Sequence, residues 1–255
     1  MAKSKNPLLI QGTINDLTYY TYKGKPCVRR KSSLTRDKFM KDMAFAGSRA
    51  SGSVFGRAST ASKQFRLAIS PFDKAFSDSS LHNRLTQQIA AQLHHHPDDY
   101  ADGAFNWHAL VPSLQTFSFD QLHKFENIVN LECCPTVSNT GERIHFQFSN
   151  QYGPIFNHAS TNSHFRMHLV LVPIGDATSA RSFDHNTDLS KEATWTSEWL
   201  DAKKRLYHDH ILEIPAFLRR GKPIAILLAI EPGFQEGSNV YTSFSNRAMK
   251  LLMLV

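Results

Sequence analysis

The chain has 255 residues, 41% of them hydrophobic, enough to bury a core in one large or two modest domains without covalent staples. Its three cysteines, Cys27 and the neighbours Cys133 and Cys134, lack the even count and spacing of a disulfide framework, and no run approaches the roughly 18 apolar residues of a membrane helix. This composition argues against a stapled secreted scaffold and against a helical membrane protein, and it predicts a cytoplasmic chain.

The net charge of +7 is uneven: residues 1–75 carry 15 Lys and Arg against 4 Asp and Glu, whereas residues 76–255 carry 14 against 18 and all 13 histidines. Such asymmetry predicts two modules, the first suited to a polyanion or an acidic surface, or simply solvated.

The opening MAKSKNPLLIQG has no apolar core of signal-peptide length, so no signal peptide is expected. Thr18 to Tyr22 and Cys27 to Lys31 are β-prone runs joined by Lys23-Gly24-Lys25-Pro26, which predicts a hairpin with Tyr20 and Tyr22 on one face and Tyr19 on the other. Basic side chains beside exposed rings can hold phosphates and stack on bases; aromatic pairs across strands also stabilise hairpins with no ligand at all.

Ser33 or Thr35 is placed to cap a helix over residues 36–69. Small or apolar residues recur there on one face, from Met40 and Met43 through Ala58 and Ala61 to Phe65 and Ile69. Lys38, Lys41, Arg49, Arg57, Lys63 and Arg66 form a basic stripe opposite; Gly52 and Gly56 are candidate breaks, and Pro71 is the expected end. Leu81, Leu85, Ile89 and Leu93 predict a second helix, stopped by His94-His95-His96-Pro97.

Beyond residue 113 short β-prone runs alternate with turns. Strands are expected at Gln115 to Phe119, Ile128 to Cys133, Arg143 to Ser149, His164 to Pro173, His208 to Ile214, Pro223 to Glu231 and Ala248 to Val255. A helical turn or two is expected near Glu198 to Lys204, and a polar loop from Gly175 to Trp195. The fold class is therefore α+β: a basic hairpin-plus-helices module over residues 1–103, then an antiparallel, immunoglobulin-like β-sandwich over residues 113–255.

The only constellation to test as an active site is histidine-based. His164, Arg166 and His168 share one strand face, and His208 and His210 another; on neighbouring strands four imidazoles would converge on zinc or another transition metal, with Asp209 or His158 at hand. The same residues read first as hydrogen-bonded structural histidines, and only secondarily as metal ligands. Motifs of the common hydrolases, phosphate loops, dinucleotide folds and dithiol redox sites do not occur, and no cofactor is expected.

GTINDLTYYTYKGKPCVRRKSSLT, the following FMKDMAFAGSRASGSVFGRAS and the terminal GKPIAILLAIEPGFQEGSNVYTSFSNRAMKLLMLV resemble a family of uncharacterised Bacteroidota proteins. The resemblance covers about the first 70 and last 40 residues. It implies a Tyr-rich basic hairpin, a small-residue helix, a terminal β domain and a bacterial, cytoplasmic origin, and it implies no activity.

Three functions are carried forward. The first is a non-enzymatic structural protein that self-associates into an oligomer or polymer through its basic N-terminal module, in a salt-dependent way. The second is sequence-independent nucleic-acid binding. Tyr20, Tyr22, Lys23, Lys25, Arg29, Arg30, Lys31, Arg36, Lys38, Arg49 and Arg57 are the contact residues for nucleic acid or partner, with Tyr19 as a further stacking ring. The third is a metalloenzyme built on His164, His168, His208 and His210.

Overall fold

The computed structural model describes residues 2–3, 11–101, 104–150, 154–157, 162–174, 194–216, 218, 223–243 and 247–255. The expected polar loop over residues 175–193 lies outside them. The chain forms two compact units, Met1–Ser53 and Val54–Val255.

The first unit contains β1 (Ala2–Lys3), β2 (Gly12–Ile14), β3 (Leu17–Tyr22) and β4 (Lys25–Arg30) in one antiparallel sheet of order β1-β4-β3-β2. The predicted hairpin is present, and its turn is tighter than expected. Tyr22 pairs with Lys25, leaving only Lys23 and Gly24 between the strands, with φ of 49° and 73°. Two successive positive φ values give the turn whose twist matches the strands, and the glycine adopts it without a Cβ penalty. A second two-residue turn, Asn15-Asp16 with Asn15 at φ 53°, adds β2, a strand the sequence reading missed.

Helix α1 (Arg36–Lys41) begins at Thr35, whose side chain accepts from the Lys38 amide. A 3-10 turn (Met43–Phe45) follows, and then α2 (Ala46–Phe76), whose N-terminal part belongs to the first unit. The helical stretch expected over residues 36–69, with Gly52 and Gly56 as candidate breaks, is interrupted instead at Asp42. Asp42 takes an extended backbone and its carboxylate accepts from the Ala44 amide, starting a new turn. Pro71 does not end α2, which continues to Phe76; a proline removes one helical hydrogen bond, and burial of Phe65, Ile69 and Phe76 outweighs that loss.

In the second unit α2 is followed by α3 (Leu81–His95), a 3-10 turn (Pro97–Asp99), the short pair β5 (Tyr100–Ala101) and β6 (Ala104–Phe105), α4 (Trp107–Gln115) and α5 (Phe125–Ile128). Strands β7 (Glu132–Val137), β8 (Arg143–Ser149), β9 (His164–Pro173), β10 (Thr194–Thr196), β11 (Leu200–Asp201), β12 (Tyr207–Glu213), β13 (Ile224–Glu236), β14 (Asn239–Thr242) and β15 (Ala248–Leu254) complete it. All pairings are antiparallel. One sheet has the order β12-β8-β7; the other runs β10-β9-β13-β14, with β11 also on β9 and β15 also on β13.

Two cores lie on opposite faces of the larger sheet. Phe165, Met167, Leu169, Ile226 and Leu228 meet Ile144, Phe146, Phe148 and Leu212 of the smaller sheet. On the other face Val170, Val172, Ala225, Leu227 and Leu251 meet Ala58, Ala61, Phe65 and Ile69 of α2, Leu85 and Ile89 of α3, and Trp107, Leu110 and Leu114 of α4. This corrects three expectations. Gln115 to Phe119 is not a strand but the end of α4 and the loop after it. Glu198 to Lys204 holds β11 rather than a helical turn. The units divide inside α2, not between residues 103 and 113, because from Val54 onward the helical stripe is buried with α3 and α4 against the sheet.

The fold is thus α+β with antiparallel sheets. No helix among the described residues is long and apolar enough to cross a membrane.

Candidate functional site

Paired residues of an antiparallel ladder share a face, so the β3–β4 register sorts the first sheet unambiguously. Thr18, Tyr20 and Tyr22 lie with Lys25, Cys27 and Arg29; Leu17, Tyr19 and Thr21 lie with Pro26, Val28 and Arg30. Strand β2 adds Thr13 to the first face, where it hydrogen-bonds Thr18 at 3.2 Å, and Ile14 to the second. One face is cationic and aromatic, the other mainly apolar.

On the cationic face the Arg29 guanidinium lies 5.7 Å from the Tyr20 ring centre and the Lys23 ammonium 5.6 Å from that of Tyr22. Lys23, Lys25, Arg29, Arg30, Lys31, Arg36 and Lys38 are exposed, and none forms an ion pair with a described residue. Arg49 and Arg57 belong elsewhere. Arg49 donates to the carbonyls of Phe39 (2.6 Å) and Asp42 (2.9 Å), clamping the break between α1 and α2. Arg57 reaches the Pro97 carbonyl and stacks on Tyr100 within the second unit.

The apolar face was not singled out in the sequence. Ile14 and Leu17 remain 52% and 41% exposed, and Leu34, Met40 and Met43 of the same unit are exposed as well. Among residues 11–53 only Cys27 is buried. The available signal was the Ile-Asn-Asp-Leu turn, which extends the hairpin to a third strand and aligns Ile14 with Leu17.

His164, His168, His208 and His210 do not converge, and His158 lies outside the described residues. Strands β9 and β12 belong to different sheets, and His164 and His168 occupy the β9 face that carries Val170 and Val172, toward the helices. His208 and His210 instead share the face of Leu212, between the sheets. Among the described residues no three His, Cys, Asp or Glu side chains gather as a metal site.

His164 Nδ1 contacts Ser163 Oγ at 2.9 Å. His168 bridges Thr196 Oγ1 (Nδ1, 2.9 Å) and Glu231 Oε2 (Nε2, 3.1 Å). Glu231, at the end of the apolar run of β13, also accepts from Arg166 Nε and from Arg247 Nη2 at 3.2 Å. Burial alone would raise its pKa; the hydrogen bonds from His168 and Arg166, with their charges, outweigh it and hold the carboxyl at about 2. Arg166 stacks on Trp199 at 4.7 Å, and Trp199 packs so closely on Gly233 that a Cβ there would fall 2.5 Å from its ring. The cluster braces the sheet.

His208 and His210 stack on Trp195, with ring centres 5.7 and 3.9 Å away. Their Nε2 atoms are buried without a hydrogen-bond partner, and burial followed by the charge of His208 lowers the pKa of His210. A cleft of about 430 Å³ between α3 and the segment after α4 is lined by Arg84, Gln88, Phe117 and Lys124. Arg84 is committed there to Asp78 and to the carbonyls of Ser118 and Phe119.

Compared with protein-family models, curated proteins and solved structures, the chain matches none of them.

Proposed function

We propose that this is a non-enzymatic assembly protein whose N-terminal unit docks onto a second copy of the chain through the apolar face of its sheet. The observation that carries this reading is the burial contrast: residues 11–53 bury one side chain, Cys27, and leave Ile14, Leu17, Leu34, Met40 and Met43 in water. A small sheet is stabilised mainly by covering one apolar face, so strands whose apolar face is open gain that burial on association. The unit carries 11 Lys and Arg against 3 Asp and Glu, so docking brings like charges together and is favoured by salt.

For the second unit we infer an immunoglobulin-like β-sandwich. In support, β7, β8 and β12 pair in the A-B-E order and β9, β13 and β15 in the C-F-G order, with β10 flanking β9. It departs from that pattern in having helices over the outer face of the larger sheet. A cytoplasmic location agrees with the three free cysteines. With His164 and His168 on one side of the larger sheet and His208 and His210 on the other, a metalloenzyme has no ligand set among the described residues.

Sedimentation velocity of the full chain at increasing concentration tests the assembly reading. The wild type is expected to form species larger than the 28.9 kDa monomer, more so at high salt, and Ile14→Asp with Leu17→Asp to remain monomeric. A wild type that stays monomeric at about 100 µM in both low and high salt contradicts it, that concentration corresponding to roughly 5.5 kcal/mol of association free energy.

A further inference from the structure

The opposite face of the same sheet is built differently, and its use does not depend on the assembly reading. Tyr20 and Tyr22 are alternate residues of β3 and therefore stand on one face about 7 Å apart. Lys25 pairs with Tyr22, and Arg29 sits beside them over the Tyr20 ring, while Lys23 projects from the turn over Tyr22. These three cations have no carboxylate partner among the described residues, whereas Arg84, Arg143, Arg166 and Arg247 of the second unit are each paired to an acid. Tyr22 is 56% exposed, so one of the two rings is open to solvent across much of its surface.

We propose that this face binds single-stranded nucleic acid, with Lys23, Lys25 and Arg29 on phosphates and the rings of Tyr20 and Tyr22 as platforms for successive bases. Unpaired cations attract any polyanion; the rings select among them. An acidic peptide offers no base to stack, and a duplex keeps its bases inside, so only a single strand uses both halves of the face. No side chain here is arranged to read base edges, so binding is tolerant of sequence and falls with salt. Arg30, the next residue along β4, lies on the apolar face and has no part in it.

Fluorescence anisotropy of a labelled 20-nucleotide thymidine strand with the full chain, over a salt series, tests this. Three phosphate contacts predict a slope of log K against log salt near −2, at about −0.7 per contact on a single strand. Arg29→Ala should make the slope shallower by about 0.7, and Arg30→Ala should leave it unchanged. Tyr22→Leu should weaken binding about tenfold at unchanged slope, with Tyr22→Phe, which keeps the ring, restoring it. Far-ultraviolet circular dichroism identifies any variant that has lost its sheet, and Ile14→Asp with Leu17→Asp shows whether binding persists in a monomer, which separates this site from self-association. Equal losses from Arg29→Ala and Arg30→Ala, no effect of Tyr22→Leu, or equal affinity for a polyglutamate peptide would each overturn the proposal, as would no binding at about 50 mM salt.

Discussion

In the second unit the sheet of β9, β13 and β15 is covered twice, by α2, α3 and α4 on one face and by β7, β8 and β12 on the other. In the first unit a four-stranded sheet has one buried side chain among residues 11–53, Cys27 on the cationic face, while Ile14 and Leu17 on one face and Tyr22, Lys25 and Arg29 on the other are exposed. The charges differ in the same way. Arg84, Arg143, Arg166 and Arg247 of the second unit are neutralised by Asp78, Glu213 and Glu231, while Arg29 and Arg30 on β4 pair with no acid among the described residues. A unit whose sheet is buried on both faces is a scaffold; one that buries a single side chain is shaped for something outside itself.

The contrast can be broken most strongly at the scaffold. All three tryptophans, Trp107, Trp195 and Trp199, belong to the second unit, so their fluorescence follows its unfolding alone. Phe65 is fully buried, and Phe65→Ala should lower the stability read in urea by about 3–5 kcal/mol. A loss below about 1 kcal/mol would mean that the helical layer does not support the sheet.

A smaller effect is expected at Glu231. Its folded pKa of about 2 lies below the ordinary 4.5, so its carboxylate stabilises the fold fully above about pH 4.5, and that contribution is lost as pH falls from there toward 2. The share of Glu231 in the acid-dependent loss should be on the order of 2–3 kcal/mol across this window. Glu231→Gln should be less stable at neutral pH and should lose less on acidification, keeping the part due to Asp78, whose carboxyl is likewise held at about 2; parallel acid titrations of the two proteins would show that the carboxylate is not the brace.

The smallest effect sharpens the comparison from the other side. Leu17→Ala should change the tryptophan-monitored stability by about 0.5 kcal/mol or less, because Leu17 is exposed and belongs to the other unit. A loss as large as that of Phe65→Ala would merge the two units into one cooperative body.

Much of this fold was legible where periodicity was strong. Arg143 to Ser149 and His164 to Pro173 are strands with the expected ends, and Leu81, Leu85, Ile89 and Leu93 line the buried face of α3. Helix α4 was hidden because Gln115 to Phe119 reads as a strand through the alternate Phe117 and Phe119, while the helix's true face is Trp107, Leu110 and Leu114 at helical spacing. The small-residue stripe of residues 40–69 read as one buried surface, yet Met40 and Met43 are exposed and burial sets in only along α2. Periodicity gives a face and says nothing about whether anything covers it.

The candidate site was legible in its residues and not in its sides. Arg29 and Arg30 look interchangeable in sequence, and pairing register alone puts them on opposite faces. Arg49 and Arg57 looked like further free cations until the carbonyls they serve were in view. Glu231 gave no sign of its three partners, because Arg166, His168 and Arg247 reach it from two other places in the chain.

Amide hydrogen exchange at low and high protein concentration examines the contrast between the units most directly. Amides of β9 and β13 should be protected at both concentrations, while those of β3 and β4 should exchange rapidly when dilute and slow down as the chain is concentrated. Equal, concentration-independent protection of both sheets would contradict the account, since the N-terminal sheet would then be stable with nothing but itself.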